Sequence, residues 1–161
     1  MSVALDIAAT YRGPRRVVRR LLEMGTREDR ALALLMAGCA VVFIAQWPRL
    51  AREAHLAGEA LNPRLAGALL GWIVIAPLMF YLLAFLSQLV ARVIGGRVTG
   101  FGARLALFWA FLATSPLLLL HGLVAGFIGP GVGLTIVGAI WCGVFLWFWI
   151  SGLCETGWSR R

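Results

Sequence analysis

The chain has 161 residues, of which 61% are hydrophobic and 14% charged, and its net charge of +8 is carried by arginine alone. A soluble domain of this length cannot hide so much apolar surface, so the composition excludes one and leaves room for a single membrane domain with no second folded unit. The arginines flank apolar blocks, which favours anionic headgroups over nucleic acid as their partner, and the absence of lysine reads as genomic bias rather than mechanism.

The first thirty residues are arginine-rich and broken by Gly13-Pro14, and do not read as a secretory signal peptide. Residues 2–11 are expected to form a turn or two. Pro14 then opens a helix over 14–24, since its missing N–H would be unpaired at a first helical position anyway. Val17, Val18, Leu21 and Leu22 fall on one side of it, while Arg12, Arg15, Arg16, Arg19 and Arg20 occupy much of the rest. That division predicts an amphipathic helix in the headgroup plane, apolar side down, with those five arginines on lipid headgroups. The alternative is a solvated helix docked on the protein's own spans. Gly25 can close it, and Thr26-Arg27-Glu28-Asp29 has the spacing of a capping box that starts the first span sharply.

Four blocks without Asp, Glu or Arg follow, at about 31–47, 65–91, 105–127 and 132–153. Each is long enough to cross a hydrocarbon core of ~30 Å. The fold class expected is therefore all-α: a four-span transmembrane bundle (31–153) preceded by a cytosolic segment (1–30) and followed by a cytosolic tail (154–161). Trp47-Pro48 is expected to end the first span. Between Pro48 and Pro63 a short amphipathic helix is expected on the opposite membrane face, with Leu50, Ala54, Ala57 and Leu61 together and the pairs Arg49–Glu53 and His55–Glu59 one turn apart. The second block exceeds the ~20 residues a bilayer needs, so it must tilt, kink at Pro77 or project. Thr114-Ser115-Pro116 interrupts the third block, where neighbouring hydroxyls can partly satisfy the carbonyl that proline frees. Gly129-Pro130-Gly131 is short enough to make the last two spans a tight hairpin.

Orientation follows from arginine. Arg12, Arg15, Arg16, Arg19, Arg20, Arg27 and Arg30 precede the first span, Arg92, Arg97 and Arg104 fill the third gap, and Arg160 and Arg161 end the chain, against Arg49, Arg52 and Arg64 in the second gap. The positive-inside rule then puts both termini in the cytoplasm, here that of a bacterial inner membrane.

Groups for chemistry are scarce. The ionisable inventory of the blocks is almost empty and His121 is its plausible member; as a haem or metal ligand it would need Met79 or Cys142 at its depth, and a packed or interface-facing histidine is the plainer reading. No nucleophile set suggests itself, so no enzyme, cofactor or metal site is expected. Cys39, Cys142 and Cys154 read as packing residues. With all seven acids outside the blocks, a mid-bilayer carboxylate relay is absent, which counts against a coupled transporter. A passive channel or carrier could be walled by Gln46, Gln88, Thr114, Ser115 and Thr135. Gly67-x-x-x-Gly71 and Gly122-x-x-x-Gly126 predict close helix packing, either within the bundle or in an oligomer. Trp47, Trp147, Trp149 and Trp158 read as interface anchors, in a last span crowded further by Trp141 and Phe148.

Tyr11-Arg12-Gly13-Pro14 before the first span, Gly95-Gly96-Arg97 after a long second one, Ser115-Pro116 in the third and Gly152-Leu153-Cys154-Glu155 after an aromatic fourth together resemble bacterial members of the Yip-type family, related to membrane proteins that interact with Rab GTPases. The resemblance implies five spans, so either the fifth is missing here or this is a four-span relative, and it carries over no settled activity. It does not imply Rab binding, because Tyr11-Arg12-Gly13-Pro14-Arg15 lacks the aromatic end of the family's Tyr-Gly-Pro-Phe-Trp-like segment. Three functions are thus expected in turn: a protein acting through lipid or protein contacts in the membrane, an accessory subunit of a larger respiratory or photosynthetic complex, and a passive channel or carrier.

Overall fold

In an apolar run bounded by glycine, proline and arginine, the backbone satisfies its own N–H and C=O groups most simply as a helix. The computed structural model describes residues 3–158 and is helical almost throughout, with no strand among them. Its helices are α1 (Val3–Thr10), α2 (Pro14–Glu23), α3 (Glu28–Ala57), α4 (Leu61–Leu70), α5 (Ala76–Val93), α6 (Gly100–Ala113), α7 (Ser115–Phe127) and α8 (Val132–Trp158). A π-helical turn, Gly71–Ile75, joins α4 to α5 in one continuous helix, Leu61–Val93. That helix, α3 and α8 are long and apolar enough to cross a membrane; α6 and α7, bent by 44°, make a fourth if they count as one span. Arg160 and Arg161, which the sequence assigns to a cytosolic tail, lie outside the described residues, and the tail's Cys154 and Glu155 are part of α8.

The centre of the fold is α6. From Phe101 to Ala113 every residue except Arg104 is buried, enclosed by the N-terminal hairpin, α3, α5 and α8. Phe111 packs on Trp72 and Phe80, and Phe108 meets the Tyr81 ring edge-on. α3 runs parallel to the bent pair, with Glu28 paired to Arg104 at one end and Arg52 against the last carbonyls of α7 at the other.

Several boundaries differ from the sequence reading. Pro48 does not end the first span. α3 passes through it, and the ring that would obstruct a packed neighbour lies against Gly126, which offers no side chain. The short helix expected after Pro48 is consequently the end of α3, closed at Gly58 (φ +65°) with the Glu59 N–H on the Ala54 carbonyl at 3.0 Å. Arg49 and Glu53 do pair (3.6 Å), but Glu59 turns to Arg64 (2.7 Å) instead of His55. No capping box forms, because the N-cap is Arg27, one residue beyond Thr26, and the Asp29 carboxylate faces Arg27. In the second span the proline is accommodated one turn early: the π turn ahead of Pro77 bonds the Ala76 N–H to the Gly71 carbonyl, five residues back. The third span breaks where expected, with the Thr114 hydroxyl donating to the Ala110 carbonyl (2.9 Å).

Candidate membrane-contact site

The basic segment is a helical hairpin built into the fold. Pro14 sits at the start of α2, and Gly25 (φ +89°) releases the chain after it. Val17, Val18 and Leu21 are buried in the main apolar cluster against α6 and α8. The apolar side of α2 therefore meets the protein, not lipid, and the headgroup-plane orientation is corrected to the docked alternative. Small residues make the docking close, since the side chain that Gly152 lacks would come 3.0 Å from Ala106 and 3.5 Å from Val18.

Polar contacts fix the hairpin. Asp6, buried on α1, pairs with Arg20 of α2. The fully buried Thr10 hydroxyl donates to the Asp6 carbonyl (2.7 Å) and accepts the indole N–H of Trp109 (3.1 Å). At the tip, the Tyr11 hydroxyl donates to the Ala113 carbonyl (3.2 Å), and its ring stands edge-on to Phe148. That carbonyl needs an outside donor because α6 stops there: the Leu117 N–H has turned to the Thr114 carbonyl (3.0 Å).

Burial raises the Tyr11 phenol above its ordinary 10.0. A group whose pKa is raised on folding lends stability that is complete below its unfolded value and lost as pH rises through the folded one. Tyr11→Phe should therefore cost about 1 kcal/mol at neutral pH, the net worth of one hydrogen bond, and should flatten the loss of stability above about pH 10. Thermal midpoints of the detergent-solubilised protein at pH 7 and 10.5 check both expectations.

The five arginines divide between two sides. Arg19 donates to the buried Glu155 of α8 (Nε to Oε1, 2.6 Å), a hydrogen bond that raises its own pKa, and Arg15 is exposed. Arg12, Arg16 and Arg20 line an open cleft of about 340 Å³ with Ala9, Gly13 and Val17. Sequence reasoning missed Asp6, Thr10, Trp109 and Glu155, which position the hairpin. The available signal was a lone aspartate four residues before a threonine in an otherwise apolar octapeptide.

The glycine motifs separate as well. A methyl group on Gly122 would run into the Ala45 carbonyl, and one on Gly126 into Pro48, so this pair packs α7 on α3. Gly67 and Gly71 meet nothing within 4 Å. Trp47, Trp147 and Trp158 are exposed, whereas Trp149 is half-buried against the core; Trp158 also covers the Gly96 turn. At the far end Arg52 donates to the Gly126 and Phe127 carbonyls (3.3 and 3.2 Å), a cation at the C-terminus of α7.

The polar residues proposed for a channel wall do not gather. Thr114 and Ser115 are buried at the helix break, Thr135 is exposed with its hydroxyl on the Gly131 carbonyl, and Gln46 lines a small cleft with Arg49 and His121. Gln88 lies by the α5–α6 turn, beside Gly100. Met79 and Cys142 are exposed, and among the described residues no three His, Cys, Asp or Glu side chains come together to hold a metal ion. No protein-family model, curated protein or solved structure matches the chain. The architecture alone defines the class: an all-helical chain with three or four candidate membrane spans and a basic hairpin packed against them.

Proposed function

We propose that this chain is a non-enzymatic, multi-pass protein of a bacterial inner membrane, of Yip type, that works through contacts with lipid and with other membrane proteins. The observation that carries the reading is the basic hairpin: its apolar face and its polar contacts, those of Arg19 and Arg20 included, hold it against the spans, so Arg12, Arg15 and Arg16 are presented outward from a fixed platform. Arg104, the hairpin and the end of α8 gather at one end of the molecule, and Arg49, Arg52 and Arg64 at the other. The positive-inside rule assigns the first end, with both termini, to the cytoplasm.

A second reading, an accessory subunit of a larger membrane complex, is favoured by the glycine face at Gly67 and Gly71, which meets nothing, and by the nearly unpacked outer faces of Leu61–Val93 and α8. Native mass measurement of the full chain extracted in mild detergent tests both. A monomer or self-oligomer supports the first reading and removes the second. A stable, stoichiometric larger partner reverses the order. Alkaline extraction that releases the chain from membranes would sink both.

A further inference from the structure

The hairpin stands on end beside the bundle, and its contacts fix how far in it reaches. From the tip of the hairpin along α2, Tyr11, Val18 and Arg19 match Phe148, Gly152 and Glu155 of α8, so the two helices run side by side in the same direction. The Glu28–Arg104 pair marks the charged end of α3 and α6. Tyr11 reaches Ala113, nine residues farther along α6 and about 13 Å deeper at 1.5 Å per residue. A bilayer of ~40–45 Å around a ~30 Å core has roughly 5–8 Å of headgroup on each side. With the Glu28–Arg104 pair at the water boundary, that reach exceeds the headgroup layer, so the hairpin crosses the layer and its tip enters the outer part of the hydrocarbon.

Its open side carries the arginine cleft. Arg16 and Arg20 are one turn apart on α2, and Arg12 closes the inner end from the turn. Asp6 engages Arg20 at the outer end, while no carboxylate among the described residues pairs with Arg12 or Arg16. The remaining lining, Ala9, Gly13 and Val17, is apolar, and α1 beside it exposes Val3 and Leu5. Cationic side chains at headgroup depth, bordered by apolar surface, match an anion joined to acyl chains and not a freely diffusing one. Guanidinium groups suit phosphate because they donate in a fixed planar fork.

We propose that the cleft of Arg12, Arg16 and Arg20 binds the phosphodiester headgroup of an anionic phospholipid. The proposal rests on the membrane reading above. Its test uses the full chain in a neutral detergent, titrated with phosphatidylglycerol, cardiolipin, phosphatidylcholine or inorganic phosphate, with lipid retention read by native mass spectrometry. The wild type should retain an anionic lipid, retain phosphatidylcholine far less and be indifferent to millimolar phosphate. Arg12→Gln/Arg16→Gln should weaken anionic-lipid binding roughly 30-fold. Arg12→Lys/Arg16→Lys should keep most of it, and Arg15→Gln, which lies off the cleft, should change it little. Unaltered thermal midpoints show that the variants are folded. Equal retention by the glutamine variant and the wild type, an equal loss on Arg15→Gln, or displacement of lipid by inorganic phosphate would each overturn the proposal. Alkaline extraction of the same proteins separates the two levels: a chain that stays in the membrane yet ignores anionic lipid loses only the cleft, while one that is extracted loses the membrane reading too.

Discussion

Gly122→Ala should lower the thermal midpoint of the detergent-solubilised protein by the equivalent of about 1–3 kcal/mol, the range for forcing extra atoms into a packed interior, and Gly122→Leu should prevent α7 from seating on α3. The reason is what stands opposite. A β-carbon on Gly122 would lie 2.8 Å from the Ala45 carbonyl carbon and 3.1 Å from its Cα. These are backbone atoms of a helix, so relief requires α3 to move bodily away. Gly126 lies one turn on, in the same closeness with Pro48, where the backbone carbon is 2.7 Å from the missing position. Moving α3 outward would also pull Arg52 from the Gly126 and Phe127 carbonyls. Gly67→Ala is the matched contrast: nothing lies within 4 Å of the added methyl, and helix propensity alone favours alanine by about 1 kcal/mol. It should leave the isolated protein as stable or more so. If both substitutions proved neutral, the close approach of α3 and α7 would be wrong.

Those two glycine pairs also show how far the sequence could be read. Gly67-x-x-x-Gly71 and Gly122-x-x-x-Gly126 are the same pattern, and the pattern says only that a backbone can approach; which helix approaches is a tertiary fact. The spans themselves were legible, because a long apolar run between arginines has few alternatives to a membrane helix, and so was the break at Thr114-Ser115-Pro116. Pro48 was misread for the opposite reason. A proline after a tryptophan looks like a stop, yet α3 continues through it, with Gly126, seventy-eight residues away, packed closely against it. The hairpin was half legible. Val17, Val18 and Leu21 form an apolar face whatever covers it, and only α6 and α8, with small residues at Ala106 and Gly152, decide that protein covers it. Arg12, Arg16 and Arg20 became separable from Arg15 and Arg19 only once α2 had a fixed rotation.

Trp109 bears on that rotation through α1, whose Asp6 pairs with Arg20 of α2, and Trp109→Ala should be among the most damaging single substitutions in the chain. The side chain is 2% exposed at the heart of α6, and truncating a buried tryptophan costs roughly 3–5 kcal/mol through lost contacts and the cavity left behind. Here the loss also has a direction. The indole N–H is donated to Thr10, whose own hydroxyl is bonded back to the Asp6 carbonyl, so the substitution empties the wall against which α1 is held. The arginines of α2 would then be released from their platform. In the docked hairpin the peptide bonds after Arg16, Arg19 and Arg20 are helical and should resist trypsin; in Trp109→Ala they should be cut at protease concentrations that leave the wild type intact. Trp109→Phe keeps most of the volume and removes the donor, so it should cost far less, about 1–3 kcal/mol for a buried hydrogen-bond partner left unsatisfied. Thr10→Val added to Trp109→Phe should recover part of that loss, because a valine there asks for no donor. Protection from trypsin that survives in Trp109→Ala would mean that the hairpin is held by its apolar face alone and that the Thr10–Trp109 contact contributes little to its position.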